Sequence, residues 1–193
     1  SGQSNMGMTV NRSKDFEQEK AAAKFPQLRM FTVERTSTAE PQADCKGRWE
    51  LTTPDNVGFF SAAAYFFGRE IHQKLGMPVG LINTSWGGTS IEAWTSMEAQ
   101  SKLKEYPTIS ESWVKATATP FDEKKAMEQY NKQLAAYKEN AKKAKADGKA
   151  APRAPAKPVD PRLNQNYPAN LYNGMVAPLV PYALKGGIWY QGE

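Results

Sequence analysis

The chain has 193 residues, 40% hydrophobic and 23% charged, enough for one domain with a substantial core and too few for two ordinary ones. No apolar run is long enough to span a membrane and no signal-like segment opens the chain, while a single cysteine, Cys45, excludes an internal disulfide framework or thiolate metal cluster. The net charge of +5 is local: 102–157 holds 13 basic and 7 acidic residues against 12 and 13 elsewhere, and its basic residues are not interleaved with aromatics as a nucleic-acid surface would want.

The first six residues, Ser1-Gly2-Gln3-Ser4-Asn5-Met6, read as a turn at the end of a strand. Gly2 permits a sharp turn that projects the following side chains, which makes Ser4 a candidate nucleophile. The serine turn of α/β hydrolases has glycine on both sides; here Gly2 stands on one side and Met6 on the other. A cap or turn role for Ser4 therefore stays open beside the catalytic one.

Residues 15–24 suit a short exposed helix or a loop, and the alternation over 27–33 predicts a strand. Residues 34–54 are expected to be irregular, with Trp49 as their apolar anchor, and Thr53-Pro54-Asp55-Asn56 to open a helix over 59–75. Phe60, Ala64, Phe67, Ile71 and Leu75 would form its core stripe, with Gly76 as its C-cap. His72, the single histidine, falls on the flank of that stripe, where a half-exposed helical residue is the expectation and a catalytic base is not.

Residues 78–85 predict a short strand, followed by the Trp86-Gly87-Gly88-Thr89-Ser90 turn and a helix from Ile91 to Gln100. Strand, glycine turn and helix expose backbone N–H groups that can hold a phosphate, a carboxylate or a developing oxyanion. No Lys-Ser/Thr pair follows the glycines, so the turn is not a P-loop. Residues 102–166 read as an insertion: Met127, Tyr130, Leu134, Tyr137, Ala141 and Ala144 make a narrow seam on one long basic helix, Gly148 stops it, and 151–158 form a proline-rich linker. A short helix near 171–179 and a buried strand at Ile188-Trp189-Tyr190 complete an α/β pattern with a mainly parallel sheet. Ligands bind at the carboxyl ends of such strands, the edge where Ser4, Gly87-Gly88 and Gln191 would lie.

Three of these stretches, Gly-Gln-Ser-Asn-Met at 2–6, Gly-Leu-Ile-Asn-Thr-Ser-Trp-Gly-Gly-Thr at 80–89 and Trp-Tyr-Gln-Gly-Glu at 189–193, together resemble the sialate O-acetylesterase family, a branch of the SGNH (GDSL-like) hydrolases. The resemblance implies a three-layer, flavodoxin-like α/β fold with a mainly parallel sheet, here incomplete. Ser4 matches the family's nucleophile and contributes its own N–H to the oxyanion hole. Gly88, favoured over Gly87, and the Gln191 amide match the other donors, and Glu193 would orient its loop. Trp86, Gly87 and Trp94 are candidates for lining a sugar site, with core packing the alternative for both tryptophans.

The reaction so implied is acyl transfer from an O-acetylated sugar or glycan to serine, with a histidine base and no metal or organic cofactor. The family's base belongs to an Asp-x-x-His motif beyond the third stretch, and this sequence contains none. The expectation is therefore a partial esterase domain over 1–193, lacking a first strand, inactive alone and completed by the missing remainder of the same protein. Acetylxylan esterase, a non-catalytic carbohydrate-binding relative, and an interaction module on the basic helix at 122–147 are the competing readings. A periplasmic or secreted location follows from the resemblance alone.

Overall fold

The structure, a computed structural model, describes residues 1–146, 148 and 150–192. Its sheet is built from β1 (Phe25–Thr32), β2 (Trp49–Thr52) and β3 (Val79–Asn83) in the order β2-β1-β3. Strand β1 runs antiparallel to β2 and parallel to β3, with Met30 opposite Leu81 and Phe31 opposite Ile82. Gly2 then bridges in parallel to both Ser85 and Tyr190, so the pairing continues past β3 through the first residues of the chain. Among the described residues every pairing but β1–β2 in this series is parallel.

Successive side chains of a strand point to opposite faces, and both faces of this sheet are covered. Leu28, Met30 and Leu81 pack with Phe60, Ala64 and Tyr65 around α3 (Ala62–Leu75). Their neighbours Phe31, Val33 and Ile82 pack instead with Trp94, Leu171 and Met175. A helix layer, the sheet and a second layer of short turns make three layers, the α/β class expected from the alternation of elements. Each fully buried side chain of the size of Leu28 contributes about 1.5–3 kcal/mol by leaving water.

Several local expectations are corrected. Residues 34–54 are not wholly irregular: β2 forms there, and Trp49 is 43% exposed on the sheet edge, with its ring over Gly80 and against Phe31, rather than a core anchor. The helix begins at Ala62, not Phe59, because Ser61 caps it by accepting from the Ala64 N–H at 3.3 Å. Its buried residues are Ala62, Ala64, Tyr65 and Gly68, while Phe67 is 47% exposed. A Cβ at Gly68 would lie 2.7 Å from Leu81, so small residues bring helix and sheet together, and a pattern of large apolar residues misses that face.

Gly76, in the left-handed region, ends the helix as expected. The helix foreseen over 91–100 is two pieces, a 3-10 turn at Ile91–Trp94 and α4 (Met97–Gln100). The one near 171–179 is a π-turn followed by a 3-10 turn. Two further helices complete this unit at its start, α1 (Ser4–Gly7) and α2 (Phe16–Ala22), the latter resolving helix over loop at 15–24.

Residues 107–164 form a separate unit. It contains nearly all of α5 (Tyr106–Thr117) and the whole of α6 (Glu123–Ala146). Asp122 caps α6 through the Lys125 N–H at 2.9 Å. The six seam residues of α6 are half-buried and none is fully so, which is the signature of a solvated helix packed along one narrow stripe.

Candidate functional site

The site is organised by Gly2, whose φ of +128° disfavours any residue with a Cβ. On one side its N–H donates to the Thr84 carbonyl at 3.3 Å and its carbonyl accepts from the Trp86 N–H at 3.0 Å. On the other side Gln3 N–H donates to Tyr190 O, and Tyr190 N–H to Ser1 O, both at 3.2 Å. Backbone pairing thus draws the three motif stretches together at the carboxyl end of the parallel strands, before any side chain contributes.

Ser4 opens α1 and is exposed. The helix is seated on α3: Ser61 donates to Met6 O at 2.6 Å, and Ala62 N–H to Met8 O at 2.7 Å. Gln3, almost fully buried, caps α1 with its carboxamide oxygen. That oxygen accepts from the Ser4 N–H at 3.2 Å and from Ser4 Oγ at 2.9 Å. The serine hydroxyl and its amide are therefore both held by one side chain, a role that reading the sequence did not assign to Gln3.

The glycine turn stands directly opposite. A Cβ on Gly87 would lie 3.2 Å from Ser4 Oγ and 3.3 Å from Ser4 Cα, so Gly87 is the residue that lets the turn approach the serine. Gly88 takes the left-handed conformation, φ +72°, and would meet nothing there. Asn166 clamps the turn, donating to Gly88 O at 3.2 Å and accepting from the Ser90 N–H at 3.0 Å. Thr89, wholly buried, donates to Trp86 O at 2.7 Å and accepts from Trp94 Nε1 at 2.8 Å.

Trp94 is 4% exposed and its indole N–H is taken by Thr89. Its ring lies in the core and meets Trp189 edge to face at 5.7 Å. The expected sugar-lining role for Trp94 is corrected on that ground: it offers almost no surface and acts on the site by holding Thr89. Trp86 is only partly buried, and the Arg35 guanidinium lies over its ring at 5.7 Å. Gln191 is half-buried, and its Nε2 donates to Thr89 O at 2.6 Å, tying the third stretch to the turn. Tyr190 and Trp189 are 54% and 45% exposed, and the buried strand expected at 188–190 is reduced to a single parallel bridge between Tyr190 and Gly2. Glu193 lies outside the described residues.

His72 is not part of this arrangement. It lies in the last turn of α3, where its Nδ1 is 2.7 Å from Met77 O and its ring meets Phe25 edge to face. Among the described residues no group of three or more His, Cys, Asp or Glu is disposed to hold a metal ion. Burial, with the nearby Asp44 charge, pushes the Cys45 thiol above its ordinary pKa. An open hollow of about 410 Å³, lined by Gln27, Arg29, Trp49 and Tyr182 among others, sits at the amino ends of β1 and β3, the wrong end of the sheet for a site of this class.

No family model matches the chain. A sialate O-acetylesterase from Rattus norvegicus is 32% identical over 205 residues, covering all of this chain and 34% of the relative. One from Pongo abelii is 29% identical over 202 residues, covering all of this chain and 30% of the relative. The crystal structure of a carbohydrate acetylesterase from Xanthomonas citri matches 99% of this chain and 31% of its own, with a TM-score of 0.64 at 29% identity. Over its whole length this chain is similar to sialate O-acetylesterases. It spans about a third of the length of these curated relatives. The likeness to sialate O-acetylesterases runs through 102–166 as well, where the three motifs did not reach.

Proposed function

We propose that this chain carries the nucleophile and oxyanion side of a carbohydrate O-acetylesterase. Ser4 Oγ attacks the acetyl carbonyl of an acetylated sugar, the sugar oxygen leaves, and water hydrolyses the acetyl-serine. The proton of Ser4 passes to a histidine other than His72, whose ring is engaged at Met77 away from the serine's partners. The 193 residues by themselves therefore turn over no acetyl ester. No metal or organic cofactor enters the scheme.

The observation that supports this reading is the convergence on an exposed Ser4 of Gln3, the Gly87-Gly88 turn and, through Thr89, Gln191. The Gln191 side-chain amide, held against the glycine turn by its bond to Thr89 O at 2.6 Å, is the proposed side-chain donor to the oxyanion. The Gly88 N–H is the proposed partner donor, and the Ser4 N–H joins when the Gln3 carboxamide releases it. Each such preorganised donor contributes about 3 kcal/mol to lowering the barrier. Gly87 gives the close approach.

The substrate proposed is O-acetylated sialic acid, supported by the names of the relatives; acetylated xylan is the rival. The test is acetate release from both substrates by the whole protein and its Ser4→Ala variant. Turnover falling at least about 10³-fold in the variant supports the reading. Turnover that survives Ser4→Ala, or turnover by the 193 residues alone that is lost in His72→Ala, sinks it. The location proposed for the whole protein is periplasmic or extracellular, which fractionation of the native cells would test.

A further inference from the structure

One charged group beside this site has no part in the scheme above. Arg35 follows β1 and is exposed, with its guanidinium carbon 5.7 Å from the centre of the Trp86 ring. Trp86 immediately precedes the Gly87-Gly88 turn and is fixed by its N–H to Gly2 O at 3.0 Å. From the other side Arg35 faces α1: a Cβ built on Gly7 would lie 3.9 Å from Arg35 Nη2. Gly7 is one helical turn from Ser4, so the cation stands between the serine's helix and the glycine turn.

The backbone under Arg35 is held on both sides. Val33 N–H donates to Asn83 O at 3.0 Å, Glu34 N–H to Lys46 O at 2.9 Å, and Thr36 Oγ1 to Glu34 O at 3.1 Å. Arg48, Arg69 and Arg162 each have a carboxylate partner, whereas Arg35 is in no ion pair among the described residues. A guanidinium that is stacked on an aromatic face and keeps its fork of N–H donors in water suits a planar anion. Trp86 then serves as the seat of the arginine, whose guanidinium carbon lies 5.7 Å from the ring centre.

We propose that Arg35 receives the carboxylate of an acidic sugar whose acetyl ester is presented to Ser4, and so selects acidic over neutral acetylated sugars. The proposal rests on the carbohydrate acetylesterase reading. The test titrates the whole protein with the methyl α-glycoside of N-acetylneuraminic acid and with the uncharged methyl ester of the same compound. The acid is expected to bind about tenfold more tightly than the ester at low salt. Raising the salt narrows that ratio.

Arg35→Gln brings the ratio close to one, and Arg35→Lys keeps part of it, because a point charge replaces the fork. A purely structural role would weaken both ligands alike and leave the ratio standing. If Arg35→Gln does not fold, the Lys variant and the salt dependence of the native protein carry the test. Equal binding of acid and ester by the native protein, or a ratio untouched in Arg35→Gln, overturns the role of Arg35 and leaves the sugar site intact. Binding of neither compound overturns the sugar reading itself.

Discussion

Replacing Gly2 by alanine attacks the one residue through which all three motif stretches pair. At φ +128° a Cβ costs about 1–2 kcal/mol in backbone conformation alone. That Cβ would also lie 2.2 Å from Tyr190 O, 3.0 Å from Tyr190 C and 3.2 Å from Tyr190 N, all of them backbone atoms that no rotamer change can move aside. The segment at Tyr190 must withdraw, which strains or breaks the Gln3 N–H to Tyr190 O and Tyr190 N–H to Ser1 O bonds, about 1 kcal/mol each.

The sum is about 3–4 kcal/mol, which for a chain of this size lowers Tm by roughly 6–16 °C. Urea unfolding of the Gly2→Ala chain, with Gly7→Ala as control, reads it directly. Gly7 lies in α1 with an ordinary φ and its Cβ would meet Ser85 Oγ at 3.4 Å, so that variant should stay within about 1 kcal/mol of the native chain. A loss below about 0.5 kcal/mol in Gly2→Ala would refute the pairing that assembles the site.

Gly87→Ala sets a methyl 3.2 Å from Ser4 Oγ; acetate release by the whole protein should fall at least about tenfold with little change in Tm. Thr89→Val removes the partner of the buried Trp94 N–H and the donor to Trp86 O, so urea unfolding should show a loss of about 2 kcal/mol. Burial raises the Glu19 carboxyl, but the hydrogen bonds from Arg69 and Tyr65, with the Arg69 charge, outweigh it and leave the pKa lowered. Its stabilisation is thus present above the unfolded-state value of about 4.3 and is lost as pH falls through the lower folded value. Burial, then the bond to Glu19, pushes the Tyr65 phenol up, so its contribution holds below about pH 10 and is lost on further rise. Arg69→Met should lower the stability plateau between these limits by about 2 kcal/mol and flatten its acid limb, as read by urea midpoints across pH.

What could be read from the chain was what local chemistry decides. Gly76 as a C-cap, the alternation in β1, the short strand at β3, the seam of α6 and the three motif stretches each depend on a few neighbouring residues. The misses arose where a distant partner decides. Gly68 faces the core because Leu81 needs the space, and Trp49 belongs to a strand because β1 offers it an edge. Trp94 is buried because Thr89 accepts its indole N–H, a pairing five residues apart that the sequence holds but does not announce. Gln3 and Arg35 acquire meaning only once Ser4 and Trp86 are set beside them.

If Ser4 is the acylated residue, the acyl-enzyme can be trapped on it. The whole protein would be mixed with an activated acetyl ester, quenched in acid within milliseconds, digested and analysed by mass spectrometry. An acetyl group is expected on the peptide containing Ser4, absent in Ser4→Ala and accumulating in proportion to the burst of released alcohol. Acetylation at another residue, or an unchanged burst in Ser4→Ala, would contradict that expectation.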